Sequence, residues 1–585
     1  MKKILFFHGF KIDLTIKSRL YIQMCELTVE DRLYSSYKWS DPECNINPTE
    51  RGILSGDVID ENGTVIRSKY RDTKIPGILK ISGKTYGRHK KRLLYKCISY
   101  YNDFPHILIP YQIKSAFEKN KVDIFILFRF VTWEGKHPRG VAELVIGDVS
   151  VNENYYDYQL YCHGLFCKRQ KNPELKPKDK DYKTMITKYK VEDRQDMNVI
   201  SIDPEACTDI DDAIGLVETA DSVILSIYIT NLPIWVDYFN LWNKTPSCSK
   251  GNVASIYLPH KRVSLFSKEL ERLGSLTQNC RRFALAMDIT IPNKCKSKGK
   301  GKGKGKDNKK PKIELRSTII KVSKNYAYDD TDLSKDAMYV SILNTVKQLN
   351  KTRELTGSID NSHDVVDYCM KYMNLYCADI LLKKIGIFRT LKQETSTSEE
   401  EEKIPESLRE LVSLWKSDGA SYCLKKDNQG HSQLKGNYTQ ITSPIRRIVD
   451  FVNITLIQLQ LGLSRFTIPK VAVDDVYQSI DILIDILNEK MKKIKKVQRE
   501  CNLLHTYTTE KEDSYDGIVL DKIEGEDEYV IYINKTKHLI YMKTHNQIEK
   551  NNVNLIKYKT YKLKLVSFVD EHSFHKKIQY QLSES

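Results

Sequence analysis

Between residues 201 and 213 the chain reads SIDPEACTDIDDA, which places Asp203, Asp209, Asp211 and Asp212 within ten residues. Carboxylates at this density repel one another, and without a positive partner at least one is driven towards protonation. Hard divalent cations such as Mg²⁺ answer that repulsion. They take a few carboxylate oxygens plus water and substrate phosphates, and a pair of them activates water and stabilises a leaving oxygen. The run therefore points to phosphoryl chemistry. A solvated acidic turn is the other reading of an Asp-rich decamer, but its flanks argue against it. Val199, Ile200 and Ile202 lead in, and Ile214, Leu216, Val223, Leu225, Ile227 and Ile229 follow with strand-like patterning. An EF-hand is excluded, because the Gly at loop position six and the Glu at position twelve are missing.

A second constellation is TSPIRR at 442–447. Ser443 followed by Pro444 predicts a helix start, with a capping hydroxyl and a proline at the first helical position. The helix would bury Ile445, Ile448, Val449, Val452 and Leu456 along one face. Its N-terminus, with Arg446 in the first turn, offers a docking place for phosphate. A guanidinium there grips two phosphate oxygens and offsets charge that builds during hydrolysis. In isolation, an Arg at such a position reads as a surface residue.

Composition agrees with a polyanionic partner. The formal charge is +17, the pI is near 9.0, and 35 Tyr with 17 Phe supply stacking surfaces. The 585 residues correspond to about four domains on the ~150-residue prior. There is no apolar stretch of ~18 residues and no amphipathic basic anchor, so no membrane partner is expected. The opening MKKILFFHGFKIDLTIK is broken by His8, Lys11 and Asp13 before a signal-peptide core is complete, which predicts a soluble, unsecreted chain, cytoplasmic or nuclear. Thirteen cysteines lack CxxC pairing, and free thiols fit a reducing compartment. Cys162, His163 and Cys167 read as incidental rather than as metal ligands. GILKISGKT, from Gly77, mimics a phosphate loop but has five residues between its glycines where the motif needs four; it reads as a turn between strands.

Residues 1 to about 185 alternate short apolar runs with turn signals, as in GDVIDENGTVI, DIFILFRFVTW and GVAELVIGDV, the pattern of small β-barrels. The last 75 residues repeat it in YDGIVLDKIEGEDEYVIYINK and YKLKLVSFVD. KSKGKGKGKGKDNKKPK at 296–312 cannot bury apolar area and is expected to be a disordered insertion, and TSTSEEEEK at 395–403 another exposed excursion.

SIDPEACTDIDDA together with YTQITSPIRRIVDFVN (438–453) resembles the catalytic domain of the ribonuclease II / ribonuclease R family, which includes the exosome exonucleases. SIYLP (255–259), GSLTQN (274–279) and GHSQLKGNYT (430–439) follow the family's order. The resemblance implies a multidomain α+β chain: an N-terminal region at 1–71 with a possible first cold-shock-type barrel, a cold-shock-type OB barrel at 72–185, a mixed α/β RNB catalytic domain at 186–500, and an OB-type RNA-binding barrel at 510–585. It also implies no additional N-terminal nuclease domain. The implied activity is hydrolysis of single-stranded RNA from the 3′ end to nucleoside 5′-monophosphates by a monomer using Mg²⁺ or Mn²⁺. Carried over residue by residue, Asp203, Asp209, Asp211 and Asp212 are metal ligands. Asp211 is the position most critical for chemistry, with Asp212 and Arg446 also catalytic. Tyr257, Tyr328, Arg446 and Arg447 contact RNA, with Tyr326 the competitor to Tyr328 because both point the same way on a strand. Departures from the family pattern are Ile454 and Thr455 in place of His-Arg, and Tyr368 in an acidic pair with Asp367. Asp367, Lys371 and Asn374 share one helix stripe that faces RNA or only water. Two alternatives stand beside this reading: an RNA-binding protein on an inactive nuclease domain, and a single-strand deoxyribonuclease.

Overall fold

The computed structural model describes residues 24–113, 121–166, 175–244, 251–292, 311–391, 404–416, 419–434, 436–467, 470–510, 514–523, 528–543, 554–569 and 576–583. Most of the basic 296–312 segment, all of 395–403 and Cys167 lie outside these residues. The chain divides into two compact units, residues 1–164 with 567–579, and 165–566 with 580–585.

The first unit is built from β-strands. A small sheet pairs β1 (Cys25–Val29), β2 (Tyr37–Trp39), β3 (Val58–Ile59) and β4 (Val65–Arg67) in the order β2-β1-β3-β4. A second sheet contains β5 (Ile75–Leu79), β6 (Thr85–His89), β7 (Arg92–Ser99), β8 (Ile107–Tyr111), β9 (Ile124–Thr132) and β10 (Arg139–Asp148) in the order β5-β9-β10-β8-β7-β6. Because β5 pairs with β9 on one side and with β7 on the other, the ring closes into a barrel and leaves β5 no free edge. Its core holds Ile75, Leu79, Tyr95, Phe104, Ile107, Ile126 and Phe128. Gly77 lies where β5 is squeezed between both neighbours. A Cβ there would meet Cys97 Sγ and the Ile98 carbonyl at 2.8 Å, so only glycine fits. GILKISGKT is, as expected, strand β5 followed by a turn into β6.

The second unit is organised by a seven-stranded sheet of β11 (Glu192–Arg194), β12 (Val199–Asp203), β13 (Asp212–Glu218), β14 (Ser222–Thr230), β17 (Arg281–Pro292), β18 (Lys312–Lys321) and β19 (Lys324–Ala327), in the order β11-β18-β17-β14-β13-β12-β19. A short hairpin, β15 (Ile256–Leu258) with β16 (Lys261–Val263), stands apart from it. The apolar runs around the acidic cluster are thus β12, β13 and β14. Alternation decides what each face does. Ile200, Ile202, Ile214, Leu225, Ile227 and Ile229 pack on the helices Ala337–Thr352 and Ser362–Leu381, through Ile342, Val346, Val365 and Cys369. Val199, Ala213, Tyr228 and Ala284 form a separate cluster with Ile210 and Leu276. With both faces buried, the sheet is a rigid platform, and truncating one of its fully buried Ile or Leu residues to Ala costs about 2–5 kcal/mol.

Near the chain's end, strands Tyr515–Lys522, Glu528–Ile533 and His538–Lys543 pair antiparallel in sequence order, and Tyr515 to Ile518 also pair with the strand from Thr560. Among the described residues no helix is long and apolar enough to cross a membrane. No disulfide joins cysteines among the described residues, and Cys162 is buried.

Candidate active site

The sheet places the four aspartates. Asp203 is the last residue of β12 and Asp212 the first of β13, so residues 204–211 form the connection between two neighbouring antiparallel strands. Ala206 turns this loop through a left-handed conformation (φ 59°). Its far end is fastened by Ser275, whose Oγ accepts from the Ile210 N–H (3.1 Å) and donates to the Thr208 carbonyl (2.9 Å), while the Leu276 N–H donates to the Ile210 carbonyl (2.9 Å). The GSLTQN motif is therefore the support of the acidic loop.

Each aspartate has a distinct environment. Asp203 is half-buried and its Oδ2 has no hydrogen-bond partner. Burial pushes its pKa up to about 6, with Asp209 adding to the rise and Arg446 opposing it. Asp211 is almost fully buried. Its Oδ1 accepts from the Ile445 main-chain N–H (2.9 Å) and its Oδ2 from Arg446 Nε (3.1 Å). Burial still outweighs these donors and pushes it up to about 7. Asp212 is driven well above the usual carboxylate range by burial and by repulsion from Asp203 and Asp211. Asp209 has both oxygens engaged: Tyr257 Oη donates to Oδ2 (2.7 Å), and Arg262 Nη1 lies 2.5 Å from Oδ1.

The segment carrying Arg446 differs from expectation at the helix start. The helix runs Ile448–Leu461, so Ser443 is not its cap and Arg446 precedes its first turn. Residues 443–447 instead form a tight turn in which the Ser443 carbonyl accepts from the N–H groups of Arg446 (3.2 Å) and Arg447 (3.0 Å). Tertiary pairing holds the backbone out of helix: the Ser255 N–H donates to the Arg446 carbonyl (2.9 Å) and the Ile448 N–H to the Val253 carbonyl (2.9 Å), with Ala254 bridged to Arg447. Of the face expected to be buried, Ile445, Ile448 and Val449 are buried, whereas Val452 and Leu456 are half-buried. Asp450, fully buried in the helix's first turn, accepts from the Ser443 N–H (2.9 Å) and Arg447 Nη2 (2.7 Å). Arg447 is thereby tied to the helix. Arg446 keeps 46% of its side chain exposed while Nε holds Asp211 and Nη2 donates to Ser443 Oγ (3.0 Å).

The two tyrosine positions separate. Tyr257, on β15, keeps 39% exposure with its hydroxyl on Asp209. Parallel pairing sets Ala327 beside Asp203, so the Tyr328 N–H donates to the Asp203 carbonyl (3.1 Å) and the ring stands next to the acidic cluster. Tyr328 stacks on His363, with centroids 3.8 Å apart and planes 11° from parallel. Tyr326 is buried in the sheet's core with its hydroxyl on Asp336 (2.8 Å). The polar stripe on the Ser362–Leu381 helix does not hold together as a single face. Asp367 pairs with Lys371 (2.7 Å), but Asn374 is buried and supports the approach to the TSPIRR turn, accepting from the Ile441 N–H (2.9 Å) and donating to Tyr438 Oη (3.0 Å). Arg262, Asp450 and His363 are site residues that sequence reasoning missed. Asp450, three residues after Arg447, is the one with a local signal.

The donor set fits a hard divalent cation. Oxygens dominate, Asp203 Oδ2 is orphaned, and Asp203, Asp211 and Asp212 stay raised although Arg446 opposes the rise in each. Among the described residues no three His, Cys, Asp or Glu side chains converge into a preformed cage. Such a site resembles those in which Mg²⁺ shares one or two carboxylates with water and substrate phosphate.

Residues 191–362, which contain the aspartate loop, match the RNB domain family. This chain carries an RNB domain. A search of curated protein sequences finds no significant match. The fold is similar to that of Mycoplasma genitalium RNase R. The solved complex of that protein with ribose methylated single-stranded RNA has a TM-score of 0.66 at 15% identity, over 95% of this chain and 99% of that one. Its complex with double-stranded RNA gives 0.59 at 15% identity, over 92% and 100%. Yeast Ssd1, a pseudonuclease, gives 0.53 at 13% identity, over 89% and 78%. The α+β architecture of OB-type barrels plus an RNB domain is therefore as expected.

Proposed function

We propose that this chain is a metal-dependent exoribonuclease that hydrolyses single-stranded RNA from the 3′ end and releases nucleoside 5′-monophosphates. The observation that carries the reading is the joining of Asp211 to the TSPIRR turn. Two donors, the Ile445 N–H and Arg446 Nε, fix the carboxylate, and the carboxylate in turn fixes a half-exposed guanidinium beside three further aspartates. Asp203 and Asp212 would hold Mg²⁺ or Mn²⁺. A bound divalent cation supplies an activated water and offsets charge on the phosphate. Arg446 is placed to bind the scissile phosphate and to stabilise charge that grows on it. Tyr257 and Tyr328 offer aromatic faces to the terminal bases, and the OB-type barrels offer surfaces for the single strand.

The second reading, an RNA-binding protein on an inactive RNB domain, draws support from Asp211, whose two oxygens are already engaged. Chromatography of products from RNA incubated with Mg²⁺ separates the two. Nucleoside 5′-monophosphates as the accumulating product support the exonuclease; intact RNA that nonetheless binds the protein supports the inactive reading.

A further inference from the structure

Arg262, the partner of Asp209, also lines an open cavity of about 540 Å³ that the reading above does not use. Its size falls among pockets that hold small organic ligands. Lys261, Arg262, Lys268 and Arg272 line it, against a single lining carboxylate, Glu271. Arg262 divides its charge between that Glu271 (Nη2 to Oε2, 2.8 Å) and Asp209. Arg272 spends one N–H on the Leu175 carbonyl (2.7 Å), and among the described residues Lys268 makes no ion pair. Lys268 and Arg272 thus bring positive charge that Glu271, already paired with Arg262, does not neutralise, with Ser264 and Thr277 adding hydroxyls. Thr208 and Ser275, which anchor the aspartate loop, form part of the same wall.

We propose that this cavity binds the phosphate monoester of a nucleoside 5′-monophosphate, the leaving product, an inference that rests on the exonuclease reading for the origin of its ligand. Charge selects the monoester. It carries about −1.5 to −2 at pH 7, so an excess of cations favours it over a singly charged phosphodiester. Arg262 then serves both sites, pairing with Asp209 on one side and facing the departing phosphate on the other.

The test is calorimetric titration of the full chain, in EDTA so that no metal contributes, with AMP, adenosine and inorganic phosphate as probes. AMP and inorganic phosphate, which carry similar charge at pH 7, are both expected to bind the unmodified protein, and adenosine not to bind. Lys268→Glu is expected to weaken AMP at least tenfold and Lys268→Gln by less, with thermal midpoints unchanged because Lys268 is exposed. Equal AMP affinity in Lys268→Glu and unmodified protein, adenosine binding as tightly as AMP, or no AMP binding at millimolar concentration would each overturn the proposal. RNA digestion by the same preparations reads the exonuclease separately. Digestion without AMP binding removes the pocket and leaves the enzyme; AMP binding lost in Lys268→Glu without digestion removes the enzyme and leaves the pocket.

Discussion

The Ile445 N–H donates to Asp211 Oδ1 at 2.9 Å across 234 residues of chain. This bond joins the loop between β12 and β13 to the turn before the Ile448–Leu461 helix, and with Arg446 Nε on the other oxygen it leaves Asp211 little freedom.

Asp211→Asn presents an NH₂ group to one of these two donors, so one N–H loses its acceptor. The cost in stability is about 1–3 kcal/mol. Hydrolysis of RNA is expected to fall by at least about a hundredfold, as when a preorganised charge contact is removed, while RNA affinity stays within a few-fold. Comparable loss of binding, measured by filter retention or anisotropy, would assign Asp211 to the fold rather than to chemistry.

Arg446→Lys retains the charge but not the fork that spans Asp211 and Ser443. The expected result is a lower kcat with a smaller change in KM for RNA. An Arg446→Lys enzyme of full kcat would show that a point charge suffices there.

Asp450→Ala removes the acceptor of both the Ser443 N–H and Arg447, leaving a largely buried guanidinium without its partner. Breaking a buried pair in this way costs about 3–5 kcal/mol. A thermal midpoint equal to that of the unmodified protein would contradict the role given to Asp450 in holding the turn.

Asp237 supplies a pH signature away from the aspartate cluster. Burial opposes its ionisation, yet donors from Lys188 (2.8 Å), Tyr189 (2.7 Å) and Trp242 (2.9 Å) hold its carboxyl below the usual range. A carboxyl depressed in the folded state contributes stability that is complete above its unfolded pKa, about 4, and is lost as pH falls through the lower folded value. Asp237→Asn is therefore expected to be less stable at pH 7, with the gap narrowing below about pH 4. Urea midpoints across that range check it; a gap constant with pH would show that the carboxylate's charge is not what stabilises.

Much of this site could be read from the sequence because its signals are local. The apolar runs on either side of the Asp203 to Asp212 cluster have the patterning of strands, and they are β12, β13 and β14. What local pattern misses is pairing across long separations. Ser443-Pro444 carries every local sign of a helix start, but hydrogen bonds between the 446–448 backbone and residues 253–255 keep 443–447 as a tight turn and move the helix start to Ile448. Arg262 meets Asp209 only because the β15–β16 hairpin aligns it with Tyr257. Sequence favours Tyr328 over Tyr326 only weakly, because both point the same way on a strand; the parallel register of β12 with β19 buries Tyr326 in the core and sets Tyr328, partly buried against it, beside Asp203. Asn374 looked like a surface residue for the same reason: its partners, Ile441 and Tyr438, come from a distant loop.

The most direct measurement is Mg²⁺-dependent digestion of 5′-labelled single-stranded RNA, with matched DNA alongside, resolved nucleotide by nucleotide for the unmodified protein and Asp211→Asn. Progressive shortening of RNA alone, ending in a short resistant fragment and absent in Asp211→Asn, is the predicted result. Binding without any shortening by the unmodified protein, or shortening that survives in Asp211→Asn, would contradict the account.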